Sequence, residues 1–322
     1  MPAITATAPG KIILFGEHAV VYGRPAIAVP VNEERARAIV MADPRGQVGE
    51  IRINAPDVGL ETSLEQLPED QPIRAAVEGV LSELGIARPP ACTLRITSTI
   101  PISAGMGSGA AVSVALMRAL SSFLGHPLSN AHVSELAFEV EKIHHGTPSG
   151  IDNTVITYAM PVYYVRGQPL ETLRLPEPFV IVIGDTGLPS PTALVVGELR
   201  GDWQMDQDKY EALFDSVAVI VKDARATIEN GNMGALGALM NQNHEYLRQM
   251  GVSSPELESL VEAARSAGAA GAKLSGGGKG GNMIALTDDG GAVEIESALR
   301  DAGAVRTIVT TIEESKYIQT DA

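Results

Sequence analysis

A glycine-rich run that feeds straight into a helix constrains this chain more than any other feature. In Pro101-Ile-Ser-Ala-Gly105-Met106-Gly107-Ser108-Gly109-Ala110-Ala111 the glycines permit a tight loop, and the helix formers that follow predict a helix over 110–124, stopped by Gly125. The first amides of a helix lack partners and lie at the positive end of its dipole, so loop and helix together can cradle a phosphate. The same stretch also fits a loose Gly-x-Gly-x-x-Ala dinucleotide fingerprint. That fold needs a second strand bearing an acid about 20 residues further on. Here a second helix is predicted instead, over 131–145, with Ser129 or Asn130 as its cap. The Gly-x-x-x-x-Gly-Lys-Ser/Thr loop is absent, because neither Lys11 nor Lys279 is followed by a hydroxyl residue. A plain glycine turn ahead of a helix is the bland alternative.

Short β-branched or alternating runs precede the loop at 12–15, 26–31, 37–41, 51–54 and 93–98, with one helical stripe over 73–84 closed by Gly85. Beyond the second helix, 154–165 reads as a strand, and 167–178 is the most turn-rich interval near mid-chain. Residues 179–183 are a continuous apolar run, the pattern of a strand covered on both faces. Helical patterns follow at 208–229, 234–249 and 255–266, and strands return at 272–274, 283–286 and 307–312. Strands and helices in blocks, over 322 residues, predict an α+β fold in two domains, 1–174 with the phosphate loop and 175–322.

Lys and Arg number 24 against 39 Asp and Glu, a formal charge of -15, and no basic run stands out, so nucleic acid and anionic membrane are poor partners. An acidic protein that binds a nucleotide must do so locally, through backbone amides, a few cations and a metal. Cys92 is the single cysteine, no apolar run approaches the length of a membrane span, and the first residues do not read as a signal peptide. A cytoplasmic protein is expected.

Three further clusters carry chemistry. The first, Pro9-Gly10-Lys11-Ile-Ile-Leu-Phe15-Gly16-Glu17-His18-Ala-Val-Val-Tyr22-Gly23, places a lysine before an apolar strand and Glu17-His18 after it. On its own it reads equally well as a solvated strand end and an exposed turn. The second, Glu141-Lys-Ile-His144-His145-Gly146-Thr-Pro148-Ser149-Gly150-Ile-Asp152-Asn153, is a helix end and a turn that delivers Asp152 onto a strand start. Glu141 borders the apolar stripe of its helix, where an acid wants a cation. His144 and His145 point about 100° apart on a helix and read as C-terminal cations, not as ligands of one metal. The third cluster packs six glycines between 271 and 281, which suggests that a substrate or nucleotide approaches this backbone closely; a tight β-connection usually needs fewer.

These clusters, in this order, resemble the GHMP small-molecule kinases, named for galactokinase, homoserine kinase, mevalonate kinase and phosphomevalonate kinase. The resemblance spans residues 9 to 281. Gly10 to Gly23 and His145 to Asn153 are most similar to the branch that phosphorylates mevalonate, so mevalonate is the implied small-molecule partner and isoprenoid biosynthesis the implied route. The family implies an N-terminal domain like ribosomal protein S5 domain 2, a ferredoxin-like C-terminal domain, and a site in the cleft. It further implies ATP as co-substrate, Mg²⁺ as metal, and a homodimer is left open. By similarity Gly105, Met106, Gly107, Ser108, Gly109 and Ala110 wrap the ATP phosphates, Ser108 and Glu141 hold the metal, and Asp152 and Lys11 are catalytic at the acceptor hydroxyl. Glu17, His18, Thr192 and Gly277 would contact the acceptor. Two departures stand out: family members carry a second loop serine where this chain has Gly109, and Lys279 interrupts the C-terminal glycines, either as a cation near phosphate or as the cap of a turn. Another acceptor of the same superfamily, a sugar or phosphomevalonate, is the alternative, and a non-catalytic nucleotide-binding regulator or a nicotinamide oxidoreductase stands outside it.

Overall fold

The computed structural model describes residues 3–314 other than 103, 146–147, 191 and 289, with 144 and 145 described by backbone alone. Seven strands form the first sheet: β1 (Ile4–Phe15), β2 (Ala26–Ala42), β3 (Ile51–Ala55), β4 (Leu60–Ser63), β5 (Cys92–Ser98), β6 (Val162–Tyr164) and β7 (Glu171–Thr172). β2 is the spine, antiparallel to β1, β5 and β6, while β3 lies parallel to β5 and carries β4. The two runs expected at 26–31 and 37–41 are one strand. The polar residues between them are absorbed where Gly10 pairs with Val31 but Pro9 with Arg35, an irregularity in the β1–β2 register just ahead of Lys11.

Helices α1 (Pro72–Glu83), α2 (Ser108–Phe123) and α3 (Asn130–His145) pack together on this sheet, as their apolar stripes predict. The strand expected over 154–165 is not there. Residues Ile151–Tyr158 form a helix, α4, and the strand shrinks to β6. β-branched Thr154, Val155, Ile156 and Thr157 favour a strand locally, but Gly150 caps the segment in the left-handed region and Ile151, Val155 and Ile156 are buried against their surroundings, so packing overrides propensity.

The second sheet, in the order β11-β8-β10-β9, is antiparallel throughout: β8 (Phe179–Asp185), β9 (Gly271–Ser275), β10 (Asn282–Thr287) and β11 (Arg306–Ile312). Every residue of β8 is buried, as its unbroken apolar run requires. α6 (Gln207–Glu229), α7 (Met233–Gln249) and α8 (Pro255–Ser266) follow the expected spans, whereas α5 (Thr192–Met205) and α9 (Ala292–Asp301) were not expected. α5 buries Val195 and Leu199 and little else, so it has almost no stripe to detect. A contiguous apolar core runs through both sheets, and Arg306 of β11 bridges to the first sheet by pairing with Glu34 and donating to the Thr99 carbonyl at 3.0 Å. Among the described residues no helix is long and apolar enough to cross a membrane.

Candidate active site

Lys11 lies in β1 and is 3% exposed. Its amide donates to the Met106 carbonyl at 3.0 Å, so the strand hands directly on to the glycine loop. Its Nζ stands 3.0 Å from Asp152 Oδ1. Asp152 occupies the first turn of α4, not the start of a strand, and Gly150 makes that entry possible: at φ 91 a Cβ there would meet the Tyr164 hydroxyl at 2.4 Å. That hydroxyl donates to the Ser149 carbonyl at 2.8 Å and closes the turn.

Gly107, at φ +70, caps α2, and a Cβ on it would lie 2.6 Å from Ile156 Cδ1, 3.2 Å from Lys11 Cγ and 3.4 Å from Asp152 Oδ2. Glycine there lets the loop settle onto the charged pair. Gly105, at φ +80, abuts Gly276, with no more than 3.8 Å between its added Cβ and the opposing Cα. Loop, pair and C-terminal glycines thereby enclose one cavity of about 720 Å³. Lys11, His18, Gly105, Met106, Gly107, Ser108, Gly109, Ala110, Glu141, Asp152, Thr192 and Gly277 all line it. Thr192 and Gly277 are in close register, since a Cβ at 277 would sit 2.8 Å from Thr192 Oγ1.

Glu141, 4% exposed near the end of α3, has its carboxyl pushed up to about 8, first by burial and then by the negative charge of Asp152, against the pull of Lys11. A carboxyl so placed, with the Ser108 hydroxyl in the same cavity, supplies hard-oxygen donors that fit Mg²⁺, which takes one or two carboxylates, waters and substrate phosphates and whose charge would favour the ionised form of Glu141. Among the described residues no group of three or more His, Cys, Asp or Glu forms a protein-only metal cage. The side chains of His144 and His145, and residues Gly146 and Thr147, lie outside the described residues.

Glu17 departs from expectation. It is 0% exposed, does not line the cavity, and its carboxylate pairs with Lys273 of β9, which is equally buried. In the structure the carboxylate is thus engaged with Lys273 in the interior. His18 does line the cavity, with Nε2 3.0 Å from the Gly277 carbonyl. Burial holds its imidazole down at about 4, so the ring is neutral and Nε2 donates. Lys279 is absent from the lining; its ammonium pairs with Glu198 of α5 and its amide donates to Val252 O at 2.8 Å, which favours the turn cap over the phosphate cation. Two residues escaped the sequence reading. Arg200 lines the cavity from α5, and Lys273 is buried against Glu17. Gly271-Ala-Lys273 offered only glycine as a signal, and α5 offered none.

The GHMP kinases N terminal domain family matches residues 71–160, and the GHMP kinases C terminal family matches residues 224–305. The chain belongs to the GHMP kinases. Among its relatives, the mevalonate kinase of Pyrococcus horikoshii is 36% identical over 98% of this chain and 98% of its own length, and that of Thermococcus sibiricus is 37% identical over 96% of each. The crystal structure of L. major mevalonate kinase in complex with R-mevalonate is similar over 97% of this chain and 96% of that one, with a TM-score of 0.84 and 32% identity. Lactococcus lactis galactokinase complexed with galactose, 18% identical with a TM-score of 0.77 over 97% and 94%, shares the fold.

Proposed function

We propose that this chain is a mevalonate kinase, which transfers a phosphoryl group from ATP to the mevalonate hydroxyl and yields phosphomevalonate for isoprenoid biosynthesis. The observation that carries the reading is the Lys11–Asp152 pair at 3.0 Å, lying against Gly107 at the mouth of α2. Phosphoryl transfer loads charge onto oxygens and asks the protein mainly for positioning and electrostatic stabilisation. Asp152 accepts the hydroxyl proton as the new O–P bond forms, and the Lys11 ammonium meets the charge shared between the attacking oxygen and the phosphoryl group. In this reading the amides of 105–110 hold the phosphates, and apolar lining residues such as Val58, Ile73, Ile96 and Val112 take the base. On the same reading His18, Thr192, Gly277 and Arg200, which also line the cavity, take the acceptor, with Arg200 as the cation for the carboxylate of mevalonate.

Glu141 and Ser108 would hold Mg²⁺, which when bound neutralises charge on the phosphate oxygens. In this reading the chain divides into a phosphate-loop domain over 1–174 and a second domain over 175–322. A coupled assay of ADP release with ATP, Mg²⁺ and mevalonate, run beside phosphomevalonate and galactose, tests the proposal. Release is expected with mevalonate in strong preference; none with mevalonate, or more with another acceptor, refutes it.

A further inference from the structure

The Glu17–Lys273 pair takes no part in the chemistry above, yet both side chains are 0% exposed. Two buried charges are a poor route to stability, since an apolar pair of similar volume commonly serves as well. Their geometry calls for another account. Glu17 follows β1, Lys273 is the middle residue of β9, and 256 positions separate them. The Lys273 ammonium also donates to the Leu274 carbonyl at 2.8 Å, so it is anchored on its own strand.

Next to Glu17 stands His18 at φ 62 and ψ -49, a backbone state that residues with side chains keep only when their surroundings impose it. Gly16, at φ +98, leaves no room on the other side, because a Cβ there would lie 2.6 Å from Ala26 Cα. The turn is thus pinned by β2 on one side and by Lys273 on the other. The His18 ring is held by the same C-terminal segment, through Nε2 and the Gly277 carbonyl. Its Nδ1 is buried with no hydrogen-bond partner among the described residues, an unfavourable state that persists only while backbone and ring are both fixed.

We infer that Lys273 is a positioning residue for the acceptor: by gripping Glu17 it fixes the strained His18 turn, and so holds one ring orientation in the cavity wall against which mevalonate binds. The inference rests on the acceptor reading above. The test is the double variant Glu17→Leu/Lys273→Met, beside Lys273→Met alone, because the double removes both charges and leaves no lone buried carboxylate to unfold the protein. In the double variant KM for mevalonate rises about tenfold or more, the scale of one lost polar contact, while KM for ATP is unchanged. In the substrate-free protein the ¹⁵N signals of the His18 ring shift from a single Nε2–H tautomer to a mixture. An unchanged KM for mevalonate, an equal rise in both KM values, an unchanged ring spectrum, or a double variant that does not fold overturns the assignment. If the wild-type protein releases no ADP with mevalonate, the acceptor reading falls by itself, and the ring spectrum still decides whether Lys273 sets the turn.

Discussion

The side chain of Asp152 is 28% exposed and that of Lys11 4%, so the carboxylate is open to the cavity while the protein holds the ammonium in place. Asp152→Ala therefore lowers turnover by about a hundredfold or more with ATP affinity retained, as measured by steady-state rates and nucleotide titration. His18 and His244 make a different demand. Burial holds both imidazoles down from 6.5 to about 4, and His244 accepts the Leu274 amide at 3.3 Å. The folded state binds these protons less readily than the unfolded chain, so their contribution to stability is whole above about 6.5 and is lost as pH falls through 4. Denaturation midpoints over that range fall with pH, and His244→Asn shows a shallower slope; an identical slope contradicts the assignment. At this scale Lys11 and Asp152 were legible because each stands in a dense motif. The pairing of Glu17 was not legible, because nothing near it in sequence announces Lys273.

Where loops meet helices, the constraint is steric. Gly107→Ala forces a Cβ against Ile156 and into the left-handed region, so calorimetry should record a loss of roughly 1–3 kcal/mol, with weakened ATP binding. Gly125→Ala is the comparison: at φ +84 it meets nothing within 4 Å and carries the conformational strain alone. Lys279→Met removes an exposed pair, 40% and 59% accessible, whose worth is about 1 kcal/mol or less. Its kcat stays near wild type, and a tenfold loss would return Lys279 to the phosphate. The glycine loops and long amphipathic helices were readable because turn chemistry and periodicity are local. α4 was not, because the side chains that look like a strand are buried as a helix by neighbours far away in sequence, and α5 was not, because it has hardly any buried face.

Across the whole molecule the two halves are locked by aromatic packing as well as by charge. Phe214 of α6, 0% exposed, stacks on Tyr22 at 4.2 Å between centroids, just past the His18 turn. Phe214→Ala should lower stability by about 3–5 kcal/mol in denaturant titration, and raise KM for mevalonate more than for ATP. The broad α+β plan was visible in the order of strand and helix patterns, but the seam between the sheets was not, since Arg306–Glu34 and Lys273–Glu17 join residues whose separation carries no periodic signal. The distance of 259 positions between His18 and Gly277 has a temporal meaning too. A ribosome that has released residues up to the end of β8 has already emitted Lys11, Asp152 and the glycine loop at 105–109, yet β9 and the glycines at 276–278 are still unmade. The wall of the cavity is therefore closed only by the last strands of the chain to be made.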